Sequence, residues 1–184
     1  MGYKCSGVFL LPLFLAVFLM VDAGQAGITP KSYLTLKGGY FVPTGEFQGD
    51  KLDGAPYWEL AGGFNWGIFG TELGVGYLKT ENSLINLKTV PILLSAKLEL
   101  PLVFMALYAR GGVGAYYSEL ELKSGEGKGG KWSGGYHGGL GADFWLGPVL
   151  LGIEGTYLAT KPNFEVGEVT IDGVAVMGKF GFRF

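Results

Sequence analysis

The sequence predicts an all-β protein, an eight-stranded antiparallel up-and-down barrel that crosses a membrane. Three observations predict it. Apolar and polar residues alternate in about eight segments separated by turn signals. The chain is hydrophobic, with a mean hydropathy of +0.31 and only 16% charged residues, against about 25% in ordinary soluble proteins. Yet beyond its N-terminus it offers no run of 18 or more apolar residues of the kind a spanning helix needs. The nearest, residues 90–108, contains Lys97, Glu99, Pro91 and Pro101, and two charges with two prolines make a poor lipid-exposed helix. A hydrophobic chain without a hydrophobic helix is left with strands.

At 184 residues the chain allows one domain. Residues 1–26 are expected to be a secretory signal peptide: Lys4 supplies the positive start, residues 8–21 the apolar stretch, and Gly24-Gln25-Ala26 a small-x-small cleavage site. Residues 27–184 are then the barrel. The single cysteine, Cys5, lies in the expected signal, so the mature chain would have no disulfide or cysteine-based metal site. A net charge of −2 without a basic cluster gives no case for nucleic acid.

A strand throws successive side chains to opposite faces, which sorts each segment into two lists. In the first strand, 32–42, Leu34, Leu36, Tyr40 and Val42 share one face and Tyr33, Lys37 and Phe41 the other. Strand two, 57–66, sets Trp58, Leu60, Phe64 and Trp66 against Glu59, Ala61 and Asn65. Strand three, 71–80, sets Leu73, Val75 and Tyr77 against Glu72 and Leu78. Strand four, 88–100, sets Val90, Ile92, Leu94 and Leu98 against Ser95, Lys97 and Glu99. Pro91 within it lacks a ladder donor, so a rim position or a bulge is expected there.

Strand five, 104–118, opposes Leu107, Val113 and Tyr117 to Tyr108, Arg110 and Tyr116. Strand six, 133–146, opposes Tyr136, Leu140, Ala142 and Phe144 to His137, Asp143 and Trp145. Strand seven, 149–160, opposes Leu151, Ile153, Tyr157 and Ala159 to Glu154 and Thr156. The last strand, 174–184, puts Val174, Val176, Phe180, Phe182 and Phe184 on one face, and Lys179 and Arg183 on the other. Polar connections at 43–56, 119–131 and 161–168 read as loops. Long connections alternate with short ones, as in a meander with external loops and periplasmic turns.

The sign of the pattern is decisive. The face that excludes charge is the same from strand to strand, and nearly every opposite face carries an ionisable residue. A soluble sandwich would turn its charges outward and its apolar face in; a transmembrane barrel does the reverse.

The signal-like N-terminus, the eight alternating segments and the closing Gly181-Phe182-Arg183-Phe184 together resemble the small OmpA-type and OmpX-type outer-membrane β-barrels. The resemblance covers 27–184. It implies residence in the bacterial outer membrane, contact with its lipid, and recognition of Phe180, Phe182 and Phe184 by the outer-membrane assembly machinery as a C-terminal insertion signal. With nothing after Phe184, the peptidoglycan-binding domain that some OmpA-type proteins carry is not expected.

An eight-stranded barrel is just wide enough for side chains to fill, and buried charges persist when paired. The inward residues Lys37, Glu59, Glu72, Lys97, Arg110, Asp143, Glu154 and Lys179 are therefore expected to form a structural ion network in the lumen. Arg110 and Glu154 should lie at its centre, with Glu59 and Glu72 as partners. The inward glycines, among them Gly63, Gly74, Gly76, Gly112, Gly114, Gly139 and Gly141, leave the opposite reading of a water-filled lumen open. Catalysis is not expected: the one histidine, His137, has Ser133 and Asp143 as its nearest partners in sequence and lacks the serine two residues on that deacylase barrels carry. No cofactor or metal site is expected. Two functions fit, a rigid surface-interaction barrel displaying its loops and, alternatively, a narrow porin-like channel for ions or small solutes.

Overall fold

The computed structural model describes residues 31–44, 46–47, 50–51, 53–81, 85–122, 128–161, 163–164, 167–168 and 171–184. The expected signal peptide lies outside them. Eight long strands form one closed antiparallel barrel. They are β1 (Lys31–Pro43), β2 (Ala55–Trp66), β3 (Phe69–Glu81), β4 (Ile85–Pro101), β5 (Met105–Leu122), β6 (Lys128–Leu146), β7 (Val149–Thr160) and β8 (Ile171–Arg183). Each pairs with its neighbours in sequence, and β1 closes on β8 from Tyr33 opposite Arg183 to Pro43 opposite Gly173. Ser32 and Phe184 exchange two further backbone hydrogen bonds at the seam, 3.1 and 2.9 Å.

At one end the strands are joined by short turns. Gly67 and Gly147 take φ of +66° and +64° there, a left-handed backbone that glycine adopts without a Cβ clash. The longer connections are at the other end. Two contain small two-stranded ladders, Glu46–Phe47 with Asp50–Lys51 and Asn163–Phe164 with Gly167–Glu168.

Three expectations are corrected. Residues 119–131 are not all loop: β5 runs to Leu122 and β6 starts at Lys128, with Glu121 opposite Lys128. Strands of 18 and 19 residues exceed the 9–11 needed to span a bilayer, so this hairpin stands above it, with Gly129 and Gly130 carried by the ladder. Pro91 sits at neither rim nor bulge. It lies inward in mid-β4, opposite Tyr116, and the β3–β4 register passes from Val75–Ile92 to Leu78–Thr89 without a slip, unpaired between. A missing donor interrupts the ladder without inserting a residue. Phe64, Ala142 and Ala159, expected on the outer face, are buried, Phe64 with its ring stacked 6.1 Å from that of Trp66, Ala142 between Leu107 and Ile153 in the ladder, and Ala159 between Tyr136 and Asp172.

Elsewhere the two faces separate as the alternation predicts. Leu94, Leu140, Ile153 and Val176 are 57–69% exposed on the outside, whereas Lys37, Glu59, Arg110 and Lys179 are 0–5% exposed inside. A band of bare hydrocarbon around buried charge is stable only with lipid as the outer solvent. Aromatic rings gather at its two edges: Tyr40, Trp58, Tyr77, Tyr136 and Tyr157 toward the loops, and Trp66, Phe69, Phe144, Phe180 and Phe182 toward the turns.

Candidate functional site

The lumen is divided along the barrel axis. Its half nearer the turns holds the charges. Lys37 on β1 donates to Glu59 at 2.7 Å, Glu72 at 2.6 Å and Glu154 at 3.2 Å. Arg110 on β5 faces the same three carboxylates, with closest approaches of 3.1 Å to Glu59, 2.6 Å to Glu72 and 2.7 Å to Glu154. A second cluster lies beside the first, where Lys179 donates to Asp143 at 2.8 Å. Lys97 approaches Glu99 at 2.7 Å and Asp143 at 3.5 Å without hydrogen-bond geometry. Its ammonium instead lies over the Tyr33 and Tyr108 rings, 4.9 and 4.2 Å from their centroids, a cation–π arrangement.

Tyr108 joins the clusters. Its hydroxyl donates to Glu154 at 2.6 Å and accepts from Lys179 at 2.9 Å. Tyr33 donates to Glu72 at 2.8 Å and Tyr57 to Glu59 at 2.9 Å. All eight charged residues expected in the lumen thus meet there, with Arg110 and Glu154 in direct contact. The tyrosines are what sequence reasoning missed as members. Their inward orientation was legible from the alternation of their own strands, whereas the glycines they cover lie on adjacent strands.

Those glycines are sockets. A Cβ on Gly63 would strike the Tyr33 ring, on Gly76 that of Tyr57, and on Gly141 that of Tyr108. On Gly74 it would press on the Glu59 carboxylate. The space left open by absent side chains is filled by the rings and carboxylates of adjacent strands.

The half nearer the loops is mainly apolar, with the hydroxyls of Thr80, Thr89, Ser118 and Thr160 buried toward its loop end. Phe41, Leu78, Leu87, Leu93, Leu158, Ile171 and Met177 form one buried cluster with Tyr57 and Tyr116. Between the halves stands His137, whose Nε2 is 2.7 Å from Ser95 Oγ. The two sit on β6 and β4, and Gly112 of β5 lies between them in register, so nothing intervenes. Neither sequence neighbour is its partner: Ser133 pairs with Thr160 at 2.8 Å, and Asp143 serves Lys179. His137 Nδ1 is buried without a hydrogen-bond partner, so no carboxylate orients this imidazole as a catalytic base requires. Among the described residues no group of three or more His, Cys, Asp or Glu is arranged to hold a metal ion. Arg183 stands apart from the network, 4.2 Å over the Trp145 ring at the turn end.

No family model matches the sequence and no curated protein matches it. Solved structures do. The chain superposes on the outer membrane protein OprG from Pseudomonas aeruginosa with a TM-score of 0.67 at 17% identity, over 88% of this chain and 99% of that one. Neisserial surface protein A gives 0.63 at 10% identity, over 85% and 99%. Ail, the attachment invasion locus protein of Yersinia pestis, solved with the heparin analogue sucrose octasulfate, gives 0.55 at 16%, over 85% and 100%. The fold is that of the small eight-stranded outer-membrane barrels. Lipid-facing exterior, charged lumen and this fold together make the chain an integral protein of the bacterial outer membrane.

Proposed function

We propose that this protein is a surface-interaction barrel whose lumen is closed, and whose work is to hold its external loops rigidly above the membrane. The observation that carries the reading is the double shell of contacts around Glu59, Glu72 and Glu154. Each carboxylate meets both Lys37 and Arg110 within 3.2 Å, and each accepts a hydrogen bond from a tyrosine. Charges so paired have little tendency to solvate a passing ion, and the cluster above them offers an ion mostly hydrocarbon. The segments displayed are 43–56, the β5–β6 hairpin and 161–168. Sequence outside the described residues acts as a removable export signal (1–26), and Phe180, Phe182 and Phe184 address the chain to the assembly machinery.

Planar-bilayer recording tests the closed lumen. The refolded protein is expected to give no stable conductance, and Arg110→Ala is expected to give leak. Steady, ion-selective steps from the unaltered protein, abolished by substitutions at Glu59 or Lys37, would instead make it a narrow channel.

A further inference from the structure

The first and last strands close the barrel with two lysines face to face. Lys37 of β1 lies directly opposite Lys179 of β8, both inside, 0% and 4% exposed. Like charges directly opposite each other repel. Lys97 and Arg110 are opposed in the same way across β4 and β5, but a short turn ties those strands together. No turn ties β1 to β8. The next pair along the seam, on the outer face, is Gly38 with Gly178. A Cβ on Gly178 would meet nothing nearer than the Gly38 carbonyl oxygen at 3.9 Å, and the ring over Gly38 is that of Trp58 from β2. Cross-strand side-chain pairs are what stabilise a sheet beyond its ladder. The middle of the seam has a repelling pair on its inner face and an empty one on its outer face.

One carboxylate bridges this place. Among the described residues, Glu154 of β7 is the acid that meets both seam lysines. Its Oε1 is fixed by Arg110 at 2.7 Å and by the Thr156 hydroxyl at 2.8 Å. Its Oε2 accepts from Tyr108 at 2.6 Å and faces Lys37 at 3.2 Å and Lys179 at 3.9 Å. Glu59 and Glu72 pair with Lys37 from β2 and β3, on one side of the seam, and Asp143 pairs with Lys179 from β6, on the other. Those three each neutralise one lysine without drawing the two strands together. An anion set between two cations attracts both, and so offsets their mutual repulsion.

We propose that Glu154 is the latch of the β1–β8 seam: its carboxylate keeps a weak line of the barrel wall closed, and without that charge the wall parts there first, around Lys37 and Gly38 on one strand and Gly178 and Lys179 on the other. The backbone ladder is the same along the whole seam, from Tyr33 opposite Arg183 to Pro43 opposite Gly173. What differs at its middle is the side chains, so that is where the loss of one charge is felt. The latch is independent of whether the lumen conducts.

The test is amide hydrogen exchange of the refolded protein in micelles, read residue by residue by NMR, since exchange reports local opening separately from global unfolding. In Glu154→Gln the seam amides near Lys37 and Lys179 are expected to exchange at least about tenfold faster, the loss of a charge-assisted contact, while the β3–β4 and β5–β6 ladders change less. Glu59→Gln is the control, because Glu59 meets Lys37 and Arg110 as Glu154 does but lies away from Lys179; it should not single out the seam. Adding Lys179→Met to Glu154→Gln removes the repulsion itself and should restore most of the seam's protection, Asp143 keeping Lys97 at 3.5 Å. A heat-shift gel verifies that each variant is folded. Where the glutamine variant is not, Glu154→Asp, which keeps the charge on a shorter arm, should show the same seam-confined loss at smaller size. Faster exchange spread evenly over all eight strands, an equal seam loss in Glu59→Gln, or no recovery with Lys179→Met overturns the latch.

Discussion

The two halves of the lumen occupy the same tube and use the same device, a large side chain seated over a glycine, yet they tolerate change differently. Near the turns the seated groups are Tyr33 over Gly63, Tyr108 over Gly141 and the Glu59 carboxylate over Gly74; near the loops they are Phe41 over Gly173 and Leu93 over Gly114. In the apolar half each contact is non-directional and roughly proportional to area. In the ionic half each charge is justified only by its partners, so removing one exposes several. Shape alone is enough for the upper half, while the lower half also needs its charges to balance.

The largest expected effect sharpens that contrast. Arg110→Ala takes one cation from Glu59, Glu72 and Glu154 together. Breaking a buried pair from one side costs about 3–5 kcal/mol. The urea unfolding midpoint of the refolded barrel should fall accordingly. An unchanged unfolding curve rejects the network. Adding Glu72→Ala should return part of the loss, since one orphaned carboxylate is then gone, and the double-mutant cycle reads the coupling.

Next in size is a truncation in the other half. Leu78→Ala removes a side chain that is 2% exposed inside the apolar cluster, at about 2–4 kcal/mol. Leu78→Met, which conserves volume, should cost less than about 1.5 kcal/mol. The comparison breaks if the methionine is as damaging as the alanine, because the upper half would then be as specific as the lower.

How much of this was legible beforehand follows from the same physics. Alternation with period two is local, so the side on which Lys37, Glu59, Arg110 or Lys179 faces could be read from its own strand. The two lists are displaced where Phe64 folds onto Trp66 and where the small Ala142 and Ala159 are shaded by larger neighbours. Contacts across the tube are a different matter. Ser95 meets His137 because β4, β5 and β6 share a register that puts Gly112 between them, and register is a property of strand pairs. Proximity in sequence pointed to Ser133, which is occupied with Thr160. The glycines were ambiguous for a related reason: whether a missing side chain makes a hole or a socket depends on the facing strand. The extended β5–β6 hairpin escaped because turn-rich composition looks alike whether or not a ladder runs through it.

The smallest effect isolates one hydrogen bond from one socket. In Tyr33→Phe the ring still fills the space above Gly63 and still lies beneath the Lys97 ammonium. Only the hydroxyl, 2.8 Å from Glu72 Oε2, is lost. A hydrogen bond to a charged group is worth about 1.5–3 kcal/mol, and Glu72 keeps Lys37 and Arg110, so the lower end, about 1.5 kcal/mol, is expected in the same urea titration. Tyr33→Ala should cost distinctly more, because it empties the socket as well. If phenylalanine and alanine proved equally harmful, the hydroxyl would carry the whole contribution and the ring none. Glycine sockets would then be incidental to the ionic half, and the device it shares with the apolar half would be shared in appearance only.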